Sequence, residues 1–524
     1  MDSLSRLEHV SSFAVLLTVF SLAFYLARFY QRQAGIYKNI PPGPKPWPVV
    51  GNFGGFLVPA AFRKNNGQPY KDVSVLTALT TLAKLYGNVY SLFLGSQLVV
   101  VLNGYEEVRD ALSNHPEVFS DRPDIPSISI MTKRKGIVFA PYGPVWRKQR
   151  KFCHATLRSF GLGKLSLEPC IQRGLLALKA ELLRLNEECG GAGVDPFPLI
   201  GNAISNVICS LVLGRRFHHG DPEFRTILGL MARELEISVN SPAVLINAVS
   251  LLYYLPFGVF KELRQVERDI TVFLKRIIAN HRETLDPENP RDLTDMYLIE
   301  ILAQQAAGEM DSSFNEDYLF YVIGDLFVAG TDTTTNSVLW TLLYMALYPD
   351  VQDKVQAELD EVVGRRRLPS LTDKGSLPFT EAAIMEVQRL AVVVPLSIPH
   401  MASETTEFRG YTIPKGTVIV PNLYSVHRDP AVWDDPDTFN PKRFLDDEGK
   451  LDKKEFFVPF GIGRRVCMGE KLAKMELFLT VSGLLQAFRF RLPEGKPPPS
   501  LQGRFGLTLA PSPFTVCVSA RSED

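Results

Sequence analysis

One cysteine in this chain stands where a sulfur could act as a ligand. Residues 460–470 read FGIGRRVCMGE and run straight into residues 471–488, whose amphipathic spacing predicts a helix. Cys467 therefore lies just ahead of a helix N-terminus, among backbone N–H groups with no intrahelical partner and at the positive end of the dipole, surroundings that favour a thiolate. Gly461, Gly463 and Gly469 remove side chains around it, so the loop can lie flat against a large planar group and adopt φ > 0 where needed. On the residues alone two readings stay open: an anionic sulfur ligand, and a small cysteine packed in a glycine-rich loop. Cys153, Cys170, Cys189, Cys209 and Cys517 are far apart and form no CxxC pair, which leaves zinc-ribbon and thioredoxin-like sites without support; sparse cysteines fit a reducing compartment.

Three other groupings could do work. Ala329, Gly330, Asp332, Thr333 and Thr334 interrupt the long apolar run 317–348 with residues that individually disfavour helix. Length and flanks argue for one helix through a poor centre, the alternative being two helices and a polar loop, and such a local violation is where a functional site is expected. A hydroxyl and a carboxylate there are suited to moving protons into an apolar pocket. Trp146 and Arg150, four apart in WRKQRK, share one helix face while Arg147, Lys148 and Lys151 fall on a neighbouring one. Glu386 and Arg389 in EVQR are one turn apart and can pair, which on spacing alone is most simply a solvated surface pair.

The elements that must position these residues are mostly helical. From about residue 51 there is no repeat and no low-complexity tract, and the loops at 188–196, 286–292 and 446–453 are too short to be domain linkers. Strand-like runs are few: 88–102, and 407–420 with Gly410 and Gly416 as punctuation. The fold class read from the chain is mainly α with small β-sheets. Ahead of this body, residues 10–27 carry no charge and as a helix would span about 27 Å, enough for a thin bilayer. Asp2, Arg6 and Glu8 are not the basic leader of a cleaved signal, and Arg28, Arg32 and Lys38 after the span place the body in the cytosol. Pro41, Pro42, Pro44, Pro46 and Pro48 make a stiff extended spacer. The expected organisation is a short lumenal start at 1–9, a transmembrane anchor at 10–27, a basic and Pro-rich linker at 28–50, and one catalytic domain at 51–524. Lysine plus arginine equals aspartate plus glutamate at 57 each, so nothing in the net charge supports a nucleic-acid partner.

Phe460, Gly463, Arg465, Cys467 and Gly469 match the FxxGxRxCxG haem-binding signature, and on them the chain resembles the cytochrome P-450 family. The family is the standard example of haem held by a cysteine thiolate. The resemblance implies the cytochrome P-450 fold behind a single N-terminal transmembrane helix, a haem b with Cys467 as its axial ligand, and Phe460, Gly461, Gly469 and Ala329 lying against the ring. It implies further that Trp146, Arg150, Arg465, Arg122 of FSDRP and His400 of SIPH contact the haem propionates; for His400 an ordinary satisfied core histidine is the rival reading. Thr333 would face the dioxygen and Asp332 would relay protons to it. Glu386, Arg389 and Arg443 of PKRF would form a structural salt-bridge cluster, although Lys442 departs from the commoner glutamate at its position.

The phrasing of the chain is similar to vertebrate microsomal family 2. Runs such as VFSDRP, YGPVWR, FGLGKLSLEP, GTDTTTNS and FGLTLAP resemble its U subfamily, which hydroxylates long-chain fatty acids such as arachidonic acid at or near the terminal methyl. This implies an NADPH-dependent haem-thiolate monooxygenase of the endoplasmic reticulum membrane, acting on O2 and a lipophilic substrate. Other family 2 monooxygenases take xenobiotics or steroids; a haem-thiolate isomerase of lipid peroxides generally departs from the Asp332 and Thr333 pattern, and a non-catalytic haem sensor has no use for it. No flavin or GxGxxG segment is seen, so a separate reductase is implied, with Arg147, Lys148, Lys151, Arg464, Lys471 and Lys474 as a basic docking patch. Carried over loosely, the pocket walls are 125–139, 245–257, 327–333, 392–399 and 505–507. Lys133, Arg134 and Lys135 are either an anchor for a substrate carboxylate or a solvated face. The apolar run 251–260, with its tyrosines, is either core or a second membrane contact.

Overall fold

The alternating run 88–102 closes, in the computed structural model, into a tight hairpin of β1, Val89–Leu94, and β2, Gln97–Leu102. They pair antiparallel with Val89 opposite Leu102, and Gly95 takes φ 62° in the turn. The structure describes residues 38–47, 51–52, 74–190, 193–218, 220–240, 242–309, 313–495 and 497–521. The expected membrane span at 10–27 lies outside the described residues, among which no helix is long and apolar enough to cross a membrane. The chain divides into two compact units, one of residues up to Pro123 with Pro399–Asn422, the other of Asp124–Ile398 with Leu423–Asp524.

The first unit is built on a four-stranded sheet ordered β1-β2-β6-β3, where β3 is His400–Met401 and β6 is Val418–Pro421. β6 runs parallel to β2, with Val99 opposite Val418. β2 lies buried along almost its whole length, which is why Val99, Val100 and Val101 follow one another instead of alternating with polar residues. β4, Thr406–Phe408, and β5, Tyr411–Ile413, form a second hairpin through Arg409 and Gly410, whose φ values of 51° and 80° are those of a type I′ turn. The Pro-rich segment lies along β1: the Ser91 N–H donates to Pro42 O at 2.8 Å and its hydroxyl to Pro41 O at 2.8 Å. Among its described residues the unit has one longer helix, α1 (Val75–Tyr86), capped by Ser74.

Among the described residues, the second unit holds the remaining helices of a dozen residues or more. In chain order they are α2 Pro144–Ser159, α3 Glu168–Glu188, α4 Phe197–Val212, α5 Pro222–Asn240 and α6 Gly258–Glu283. There follow α7 Leu293–Ala306, α8 Glu316–Leu347, α9 Pro349–Val362, α10 Pro378–Leu390 and α11 Glu470–Ala487. Two small antiparallel sheets accompany them: β7 (Phe488–Arg491) with β10 (Cys517–Ala520), and β8 (Arg504–Phe505) with β9 (Leu509–Ala510). The expected balance of many helices and little sheet is therefore observed.

α8 is continuous through its poor centre. Asn315 caps it by accepting the Tyr318 N–H at 3.0 Å, and Glu316 and Asp317 place negative charge in the first turn. The hydroxyls of Thr333, Ser337 and Thr341 each donate, at 2.8 Å, to the carbonyl four residues back, so these three are absorbed by the helix they would otherwise weaken. Burial does the rest, because α8 packs on α4, α10 and α11. α4 lies close at Gly330, where a Cβ would stand 3.0 Å from Ile208.

α10 carries the strongest polar restraint. Glu386 and Arg389 pair through two contacts, of 2.7 and 2.9 Å, and both are fully buried; Arg443 joins the same carboxylate at 2.9 Å. Arg389 also donates to the carbonyls of His427 and Pro436, both at 2.7 Å, and lies 5.1 Å from the Trp433 ring centre. The pair is thus a buried tie between α10 and the segment 427–444, as the family resemblance implied and bare spacing did not. Glu386→Ala should cost about 3–5 kcal/mol, since it leaves two guanidiniums in the interior without their carboxylate. Denaturant unfolding of the two proteins measures this; a loss below about 1 kcal/mol would show that the tie is solvated.

Candidate active site

The loop before α11 is closed by its own backbone. The Cys467 N–H donates to Phe460 O at 3.0 Å, the Val466 N–H to Gly463 O at 3.1 Å and the Gly461 N–H to Val458 O at 3.0 Å. Gly461 and Gly463 have φ of 73° and 78°, so the sharp path needs residues without a Cβ. Nothing lies within 4 Å of where a Gly461 Cβ would be, and a Gly469 Cβ would stand 3.9 Å from the Cys467 sulfur. Cys467 is open to water on one side yet closely surrounded by protein on the others, so its sulfur sits at the floor of a recess. Burial pushes the free thiol's pKa up, and that outweighs the N–H groups of Gly469 and Glu470 and the nearby Arg150 guanidinium, which pull it down. The helix N-terminus alone therefore does not make a thiolate here. A bound metal ion would supply the missing stabilisation.

Cations gather beside this loop. Arg150, on α2, donates to Val466 O at 2.5 Å, and burial lowers its pKa while Cys467 partly restores it. Arg465 lies 4.1 Å from the Trp146 ring centre and donates to Ala140 O at 2.7 Å and Ile137 O at 3.2 Å. The Trp146 indole N–H also goes to Ile137 O, at 2.9 Å. α2 divides its residues as the spacing implied, with Trp146 buried and Arg150 half-buried while Arg147, Lys148 and Lys151 are exposed.

The carbonyls that receive Arg465 and Trp146 are themselves held by a residue the sequence reading passed over. Asp325, on α8, accepts the N–H groups of Ile137 and Val138 at 2.6 and 2.9 Å through a single oxygen. Gly136 permits this, since a Cβ there would come within 2.3 Å of the carboxylate. One turn further along α8, Ala329 is exposed among half-buried neighbours. Asp332 accepts from Thr508 at 2.6 Å, and Thr508 accepts in turn from Asn336 at 3.3 Å. Burial raises the Asp332 pKa, with Thr508 and Asn336 pulling it back. Thr508, far off in sequence on the β8–β9 turn, had no local signal. Arg134 pairs with Asp124 at 3.2 Å and Lys135 with Asp317, which favours the solvated-face reading of that charge run. Arg122 and His400 belong to the first unit, where both are buried. Arg122 donates to Pro399 O at 2.9 Å, and the His400 Nδ1–H donates to Phe119 O at 2.6 Å.

The family model described as Cytochrome P450 matches residues 41–518. The chain belongs to the cytochrome P450 family. It is 58% identical to human cytochrome P450 2U1 over 493 residues, which cover 92% of this chain and 90% of that protein. The cattle protein of the same name is 57% identical over the same shares. Human cytochrome P450 2D6 is 41% identical over 98% of this chain and all of its own length. This P450 is accordingly a haem-thiolate monooxygenase of family 2, with a haem b on a cysteine thiolate and electrons supplied by a reductase.

The residues present fit that group. A soft sulfur donor opens on a recess, glycines clear space for a flat ring, and two guanidiniums beside the loop suit carboxylates. The support of Arg465 depends on Asp325, which holds the segment at Ile137 and Val138 and whose pKa burial raises to about 6. Its folded-state pKa lies above the unfolded one, so the folded protein holds this proton more tightly and stability falls as pH rises from about 4 to about 6. Asp325→Asn keeps an oxygen for both N–H groups and removes the titration. The variant should gain on the parent by on the order of 2–3 kcal/mol between pH 4 and pH 7. Denaturant midpoints across that range test it; a constant difference would show that Asp325 does not titrate there.

Proposed function

We propose that this P450 hydroxylates long-chain fatty acids, such as arachidonic acid, at or near the terminal methyl. The observation that carries this reading is 57–58% identity, over 92% of the chain, to proteins named 2U1, in agreement with the U-subfamily runs of the sequence. The proposed organisation is an anchor at 10–27 in the endoplasmic reticulum membrane, a linker at 28–50 and a cytosolic catalytic body at 51–524. Leu251, Tyr254 and Phe257, exposed to 76%, 71% and 62%, favour a second membrane contact over core for the run around them.

When bound, the haem would activate dioxygen so that one oxygen atom enters a substrate C–H bond and the other leaves as water. Cys467 is assigned as its sulfur ligand. Phe460, Gly461 and Gly469 form the bed beneath the ring, and Ala329 provides clearance on α8. Arg150 and Arg465 hold the propionates through their charge, and Trp146, packed against Arg465, would exchange its N–H bond to Ile137 O for a propionate oxygen; for Arg122 and His400 the same role rests on the resemblance alone. Thr333 and Asp332 deliver protons. The Thr333 hydroxyl now donates to Ala329 O, so passing its proton elsewhere requires the side chain to turn, and Asp332 is the nearby group able to replace that proton. Thr508 holds the Asp332 carboxyl in place for this. Electrons come from an NADPH-dependent flavoprotein reductase docking on Arg147, Lys148, Lys151, Arg464, Lys471 and Lys474, all of which are exposed.

Reconstituted with reductase and NADPH in mixed lipids, the enzyme should yield fatty acids hydroxylated near the terminal methyl, identified by mass spectrometry; oxygenated products of other lipids only would defeat the substrate reading. Cys467→Ser should abolish both product and the carbon monoxide difference band that names the family, and survival of that band would remove Cys467 as the ligand. Thr508→Val should lower product formed per NADPH consumed several-fold while leaving substrate affinity and the band unchanged. Unaltered coupling would show that Asp332 needs no such support.

A further inference from the structure

On the far side of α4 from Gly330 and Ile208 lies a cavity of about 290 Å³, formed by α3, α4 and the chain leaving α4. Its lining includes Arg173, Asn202, Arg216, Phe217 and His218, with no carboxylate among them. Neither arginine forms an ion pair among the described residues; Arg216 makes one long contact, 3.4 Å, to Cys170 O. Two permanent positive charges thus converge on one recess without a counter-charge.

The floor is built in a way that surface arginines do not require. Asn206 is saturated: its amide N–H groups reach Asn202 O at 3.1 Å, Asn202 Oδ1 at 3.0 Å and Phe217 O at 3.0 Å, and its oxygen accepts the Phe217 N–H at 2.7 Å. By occupying Asn202 Oδ1 it fixes which way the Asn202 amide faces. Asn202 is only 4% exposed, yet its Nδ2 has no hydrogen-bond partner among the described residues and is not sealed from the cavity. A buried amide donor left open costs free energy unless something accepts from it. Phe217 is held rigid, stacked on Phe224 at 4.3 Å and nearly parallel.

We propose that this cavity binds a phosphomonoester. Its free side-chain groups are donors, which selects an anion, and two guanidiniums ask for a dianion where a carboxylate would neutralise only one. The phosphate would sit between Arg173 and Arg216 and accept from Asn202 Nδ2. The volume exceeds what phosphate alone fills, and Gly174, Ala177, Ala203 and the Phe217 ring offer an apolar wall to the organic part. The site is separate from Cys467 and from the catalytic assignments above.

The test uses the full-length, haem-loaded protein in lipid nanodiscs, titrated at constant ionic strength. Glycerol 3-phosphate serves as the soluble probe, a short-chain phosphatidic acid as the lipid-headgroup probe, and glycerol as the neutral control. At least one phosphate probe should bind and glycerol should not; the probe that binds identifies a free metabolite or a headgroup as the source. Arg173→Gln, at an exposed position, and Arg216→Gln should each weaken binding about tenfold or more. Asn202→Asp, which replaces the donor with an acceptor of the same shape, should abolish it while the carbon monoxide band shows the fold intact. Failure of both phosphate probes to bind, or equal binding by Arg173→Gln and wild type, would overturn the proposal.

Discussion

The second unit depends on a charge balance it cannot easily alter: Glu386, with no exposure to water, holds Arg389 and Arg443 at 2.7–2.9 Å. Each guanidinium also donates to backbone carbonyls of the segment 427–438, so the tie sets the path of irregular chain that has no helix or strand to define it. That chain leads on to the loop at 460–467. A packed aromatic cluster at Trp433 and Phe444, against Ala382, fills the space beside the tie. Buried ion pairs add little net stability compared with well-packed apolar residues, but they admit few alternative arrangements. For a loop that must present one sulfur in one direction, uniqueness is the useful property.

A second layer of restraint runs through Asp325. One carboxylate oxygen gathers two N–H groups of the segment 137–138, and the carbonyls of Ile137 and Ala140 then receive Trp146 and Arg465. α8 thus governs the cationic side of the site as well as the side that carries Asp332 and Thr333. The close approach at Gly136 and that at Gly330 follow the same logic: a missing Cβ lets another element lie within bonding or packing distance of the helix.

Much of this was legible in the sequence, and unevenly so. The continuity of α8 through residues 329–337 followed from its length and flanks, and the structure shows how the hydroxyls of Thr333 and Ser337 are absorbed. The α2 division between Trp146 and its charged neighbours followed from spacing. The burial of Glu386 and Arg389 did not, because a pair one turn apart reads the same on a surface; only the family resemblance placed it inside. Asp325 and Thr508 escaped because their partners lie 188 and 176 residues away in the chain, and a lone carboxylate or threonine carries no local mark of such a contact. Lys135 was ambiguous for the opposite reason, since a charge run states its sign but not its partners, and Asp317 was needed to decide it.

Cys467 shows why a local reading could not close the question. Its position ahead of α11 argues for a thiolate, and the N–H groups of Gly469 and Glu470 do pull in that direction, as does Arg150. Burial pulls the other way and prevails for the free thiol. The two tendencies are compatible once the sulfur is a ligand, because a bound cation supplies directly the stabilisation that the thiolate otherwise lacks here. The helix N-terminus then modulates the electron density of the sulfur and is not the source of its charge. The raised pKa of the free thiol is what a resident cation would offset, a point that neither the glycine pattern nor the cysteine alone could raise.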